Sequence, residues 1–214
     1  MTKTEIIQQT FEYIKQKFTN EFSGHDWNHI YRVWKLAIYL AKNEKVDNFI
    51  IEMAALLHDL DDYKLSNENS NNVKKWLDNF NIDDETKNNI IFITDNISYK
   101  GAEVENKITS LEGKIVQDAD RLDAIGAIGI ARAFAYGGNK NREMYNPDIK
   151  PIMHKSFYDY KNSKSTTINH FYEKLLLIKD KINTEKARKI AEIRTNIIKD
   201  FLQNFLSEWN VDIK

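Results

Sequence analysis

Ala54-Ala55-Leu56-Leu57-His58-Asp59-Leu60-Asp61-Asp62 is the stretch of this 214-residue chain best equipped for chemistry. An apolar helix runs for two turns and then presents an imidazole and three carboxylates, groups that are expensive to bury without a purpose. On a helix His58 and Asp59 stand about 100° apart, so both reach one point only near its C-terminal end. A metal ion is such a point. Imidazole and carboxylate together suit Mn, Fe, Ni, Zn or, less well, Mg, and two ligands alone do not hold the ion, so other stretches must contribute. The plain alternative is an N–H···carboxylate pair closing a helix end. Because the same dipeptide recurs as His25-Asp26, it does not decide between the two.

Two other stretches could contribute. His25, Asp26, His29 and Arg32 crowd the start of another helix, whose apolar positions Ile30, Val33, Trp34, Ala37, Leu40 and Ala41 keep helical spacing. His29 lies beside that stripe and can look inward, although a single His there is more often a packed residue than a ligand. Farther along, Asp118-Ala119-Asp120-Arg121-Leu122-Asp123 is embedded between apolar residues. Asp118 and Asp120 point apart on a regular helix whereas Asp120 and Asp123 share a face, so at most one of the first two serves a given ion. The alternative is a solvated face with an Asp–Arg pair.

The elements that must position these groups read as helices throughout. Only two prolines occur, both between residues 147 and 151, and seven glycines, a scarcity of breakers that argues for an all-α chain. Four Trp, ten Tyr and eleven Phe supply a substantial core, and one domain over 1–214 is the expectation. Helices are predicted over 2–20, with Thr2 and Glu5 at capping-box spacing, from about Asp26, and from an Asp47 cap to the His58 stretch. The third, apolar on most sides, should be central. Shorter helices carry Val73, Trp76 and Leu77, and Ile90, Ile91 and Ile93. One long helix is predicted from Leu111 to about Tyr136, another after Ser165-Thr166, and a last one from Asn183-Thr184 to about Trp209. Segment 137–165, with both prolines, Gly137-Gly138 and several aromatics, lacks a period and is expected to be a cover over the site.

Charge and composition exclude some roles. Basic residues number 31 and acidic residues 32, interspersed, so no global field draws the chain to polymeric nucleic acid or an anionic membrane. Without cysteine there is neither disulfide nor thiolate zinc site. No apolar run approaches membrane-spanning length and the N-terminus is not a signal peptide, so a cytoplasmic protein is expected.

His29-x-x-Arg32-Val33, then Leu56-Leu57-His58-Asp59, then Ala119-Asp120-Arg121-Leu122, in that order, resemble the HD-domain metal-dependent phosphohydrolases. With His25-Asp26-Trp27, Asp118 to Ala127, and Asn169-His170-Phe171 followed by Glu173-Lys174-Leu175, the chain looks like a bacterial single-domain subgroup of them over roughly residues 20–210. The resemblance implies a helical bundle of the HD-domain type. It places the metal ligands on His29, His58, Asp59 and Asp120, two imidazoles and two carboxylates whose charge would balance a divalent ion. The cofactor implied is one such ion, Mn first, with Ni, Fe, Zn, Co or Mg as alternatives. Asp62 is similar in placement to an acidic residue some members carry after the dipeptide, and if the helix continues it sits one turn beyond His58, fit to position or deprotonate water. Arg32, Lys64 and Lys174 are the candidate phosphate cations, and His25 a candidate substrate residue.

The expected activity is hydrolysis of a phosphoester or phosphoanhydride bond in a nucleotide, as a pyrophosphohydrolase or nucleotidase. A cyclic-nucleotide phosphodiesterase and a non-catalytic sensor that keeps metal and nucleotide for binding are the alternatives. A helical adaptor would require the four ligands not to converge. The partner is expected to be a phosphorylated small molecule, with a homodimer as the assembly to test.

Overall fold

The structure is a computed structural model that describes residues 1–19, 26–61, 71–97, 106–152 and 165–212. Among the described residues there are helices and turns and no strand. The chain divides into two compact units, the first comprising Met1–Tyr99 and Glu105–Asp120, the second Lys100–Val104 and Arg121–Lys214.

In the first unit α1 (Lys3–Phe18) opens with the capping box, Glu5 N–H donating to Thr2 and the Thr2 N–H to the Glu5 carboxylate. α2 (Trp27–Ala41) is capped by Asp26, which accepts from the His29 N–H at 2.7 Å. The Asp of the second His-Asp dipeptide is therefore a helix cap. α3 (Asn48–Leu57), capped by Asp47, is buried at all but its first residue and Glu52, because it packs on α1, α2 and α5 at once. α4 (Asn72–Leu77) and α5 (Asp84–Asn96, capped by Asp83) complete the wall around it. Phe11 packs edge-on against Trp27 at 4.7 Å and Trp34 at 5.3 Å and fixes α1 beside α2. Such edge-to-face pairs add about 0.5–1.5 kcal/mol beyond the area they bury.

α6 runs Leu111–Asp123. Its start is tied to α3 through Glu112, which accepts from the Asp47 N–H at 3.1 Å. One turn on, buried Gln117 exchanges two amide hydrogen bonds with Asn106, at 2.9 and 3.2 Å. The long helix predicted from Leu111 to about Tyr136 is broken. α6 ends at Asp123, Ile125 is extended, and Gly126 takes φ +78° before α7 (Gly126–Asn139) begins. Left-handed backbone costs an L side chain roughly 1–2 kcal/mol, which is why glycine stands there. The freed carbonyls at the end of α6 are taken by arginines: Arg194 donates to the Leu122 carbonyl at 2.6 Å and Arg132 to that of Asp123 at 3.4 Å.

In the second unit α7 packs on α8 (Thr167–Glu173) and on α9 (Glu185–Trp209), with a 3-10 helix, Leu175–Lys181, between the latter two. Phe134, Phe171 and Phe201 form its aromatic centre, with centroids 5.7–5.9 Å apart. The aperiodic segment begins later than expected, since 137–139 finish α7. Of the predicted cover, residues 153–164 lie outside the described residues. The residues on either side of them, Ile152 and Ser165, both donate to the carboxylate of buried Glu173, at 2.9–3.0 Å.

Candidate metal centre

α3 stops at Leu57, so His58 is its C-cap and residues 58–61 are turns. The change of direction lets neighbours that would diverge on a helix face one point. The His58 Nδ1 lies 2.9 Å from the Ala55 carbonyl. A carbonyl can only accept, so Nδ1 carries the hydrogen and Nε2 keeps its lone pair for the interior. His29, buried on the inward face of α2, brings its Nε2 to 3.3 Å from that of His58.

The carboxylates close on this pair. Asp59 Oδ2 lies 3.5 Å from each Nε2, and Asp120 Oδ1, from the last turn of α6, lies 3.4 Å from His29 and 3.9 Å from His58. One atom each from His29, His58 and Asp120 can be chosen with all three within 4.8 Å of one another. Most of these separations exceed the 2.7–3.2 Å of a well-made N–H···O bond. Ligands about 2.1 Å from one ion at tetrahedral or octahedral angles stand roughly 3.0–3.5 Å from their neighbours. His29, His58 and Asp120 therefore fit a divalent ion in spacing as well as in chemistry, and fit the plain His–Asp pair less well. A helical adaptor required these groups to stay apart.

Both imidazole side chains are 2% exposed, whereas Asp120 is 28% exposed and is the member water reaches. Burial alone would raise the Asp120 carboxyl. The hydrogen bond with the facing His29 ring is the foremost of the effects that outweigh it and hold the carboxyl below the usual carboxylate range, ionised at neutral pH.

The other sequence-predicted residues fall as follows. Arg32 is on α2, one turn after His29 and partly buried. Lys174 belongs to the second unit, as the C-cap of α8 beside His170. His25, Asp62 and Lys64 lie outside the described residues. The helix assumed for Asp62 does not continue beyond Leu57, so the one-turn offset from His58 is corrected. Asp123, the other carboxylate on the Asp120 face, pairs with Arg132 at 2.6 Å. Asp61 accepts from the N–H groups of Asn72 and Val73 at 3.0 and 2.9 Å and so caps α4.

Comparison with known proteins places this geometry. The HD domain family model matches residues 26–125. The uncharacterised protein YpgQ of Bacillus subtilis is 38% identical over 207 residues, 95% of this chain and 93% of its own. The chain belongs to the HD-domain superfamily. A crystal structure of an HD-superfamily hydrolase from Bacillus thuringiensis is 44% identical, with TM-score 0.77 over 98% of this chain and 99% of that one. A Lactobacillus plantarum protein superposes with TM-score 0.86 at 36% identity, over 99% of both chains. The crystal structure of YpgQ in complex with ADP matches with TM-score 0.74 at 37% identity, over 94% of this chain and 96% of that one. The HD-domain match spans all four donors, and with this membership comes the general chemistry of metal-dependent hydrolysis.

Proposed function

We propose that the whole chain, residues 1–214, is an HD-type phosphohydrolase that cleaves a phosphoanhydride or phosphoester bond of a nucleotide, with one divalent ion held by His29, His58, Asp59 and Asp120. The observation that carries this reading is the convergence of two imidazole nitrogens and two carboxylate oxygens at 3.3–3.9 Å. When bound there, the ion, Mn by preference, would supply Lewis acidity toward a phosphate oxygen and would lower the pKa of water toward neutrality.

The protein's own groups hold and tune that site. Ala55 fixes the His58 ring through Nδ1, and the two Asp side chains balance the ion's charge. Asp62 is the proposed base that positions or deprotonates water, on the resemblance alone. His25, Arg32, Lys64 and Lys174 are the proposed substrate contacts. A nucleotide is favoured because the similar YpgQ is seen with ADP.

The test is a panel of nucleoside triphosphates, diphosphates and cyclic nucleotides, each with Mn, Ni, Fe, Co, Zn or Mg. Metal-dependent release of pyrophosphate or phosphate is expected. Opening of cyclic nucleotides alone would make the protein a phosphodiesterase, and binding of metal and nucleotide without turnover would make it a sensor. Work in the cytoplasm belongs to the same proposal. No helix among the described residues is long and apolar enough to cross a membrane.

A further inference from the structure

Two helices of the second unit carry an outward surface that the four-donor cluster does not use. α7 and α9 run side by side and parallel. A Cβ on Gly126 would meet the Arg194 stem, and about two turns farther along both helices the Phe134 and Phe201 rings pack at 5.8 Å. The inner face of the pair is ordinary core, with Gly129 and Gly137 buried on α7 and Ala191, Thr195 and Leu202 on α9.

The outer face is apolar as well. At about 100° per residue, Ala127 and Ala131 stand roughly 60–100° beyond the line where α7 meets α9, while Ile197 and Ile193 stand roughly 50–90° before the corresponding line on α9. On parallel helices these two displacements point to the same side, opposite the core. All four residues are exposed, Ile193 by 64% and Ile197 by 39%, and Ile128, 45% exposed, extends the patch on α7. The charges that normally cover an outer helix face are missing from α7, since Arg132, its single Lys, Arg, Asp or Glu, is paired with Asp123. Isolated exposed apolar side chains are ordinary, but a contiguous apolar face across two helices signals a contact surface.

The charges on α9 identify what covers it. Lys189, Ile193, Ile197 and Asp200 fall within about 80° of one helical face, the basic residue first and the acidic one last. When a second α9 is laid antiparallel with each Ile193 on the other copy's Ile197, Lys189 arrives within one residue, about 1.5 Å of rise, of the second copy's Asp200. Both charges are exposed. Among the described residues Lys189 has one ion pair, with Glu185 at 3.2 Å and open to solvent, a kind of pair weak enough to exchange. The face therefore complements itself about a two-fold axis, the symmetry that closes an isologous pair. We propose that the outer face of α7 and α9 is the interface of a homodimer, with Ile193 and Ile197 at its centre and a Lys189–Asp200 pair at either end.

The measurement is the mass of the full chain by sedimentation equilibrium over a concentration series. The parent should pass from the 25.2 kDa of one chain to twice that mass. Ile193→Glu, at an exposed position, sets like charges into the apolar centre and should weaken self-association by about 100-fold or more. Lys189→Glu and Asp200→Lys should each weaken it about tenfold, because each turns two attractive pairs into repulsive ones, and the two combined in one chain should restore it. If Ile193→Glu does not fold, the charge variants decide. A parent that stays at 25.2 kDa throughout leaves the face to some other partner and overturns the homodimer. A dimer that Ile193→Glu leaves intact overturns it too, by putting the interface elsewhere, and so does a double charge variant that associates no better than the single ones.

Discussion

His58 makes two commitments with one ring. Its Nδ1–H is spent on the Ala55 carbonyl, which leaves Nε2 as a donor atom facing His29, Asp59 and Asp120. His58→Ala removes the donor, and Asp59→Ala the oxygen that faces both rings. Each variant should lose metal affinity by at least about 100-fold and hydrolysis with it. Metal content after equilibration at saturating metal is the measurement, and full occupancy in both would dismiss the four-donor assignment. Asp62→Asn should behave differently, keeping the metal while turnover drops by about 10²-fold or more. Near-normal turnover at saturating metal would remove Asp62 from the mechanism. At this scale the sequence was informative where spacing restricts geometry. Asp118 and Asp120 could not both serve one ion, and Asp120 is the one beside the imidazoles, with Asp118 fully buried. It was silent on Asp61 and Asp26, because a capping carboxylate and a ligating one have the same letter and differ only in what the fold brings to them.

The helices were legible from apolar period and caps: Thr2, Asp47 and Thr166 all stand where the sequence puts them. What escaped was the point at which a helix stops when its pattern does not. Residues 58–61 follow apolar α3 without Gly or Pro, and the break at Ile125 falls within a run of helix formers and small residues. Gly126 is a site of close packing, since an added Cβ would meet the Arg194 stem at 3.0–3.3 Å, and it is also the left-handed residue that starts α7 in a new direction. Gly126→Ala should therefore cost on the order of 1–2 kcal/mol, read as a lower urea midpoint with an unchanged m-value. A midpoint equal to that of the parent would mean that the break tolerates ordinary backbone.

For the molecule as a whole, pH acts on stability through His170. Its folded pKa is lowered to about 3 from an ordinary 6.5, so below pH 6.5 the unfolded chain takes up a proton that the folded chain refuses. The stability associated with the neutral ring is fully present above pH 6.5 and declines as pH falls toward 3, by about 2 kcal/mol at pH 5. His170→Gln should remove that part of the acid sensitivity, seen as a smaller drop in urea midpoint between pH 7 and 5. If the variant and the parent lose equal stability over that range, the ring is not held neutral. The tryptophans offer a different kind of access. Trp27, Trp34 and Trp76 all belong to the first unit and Trp209 alone to the second, where Tyr145 meets it edge-on at 5.0 Å. Light emitted by the protein therefore carries two separable signals, and subtracting the denaturation trace of Trp209→Phe from that of the parent isolates the second unit. If 1–214 is one domain, as expected, the difference trace and the remaining emission change at the same urea concentration. Separate midpoints would make the two units independent folding bodies.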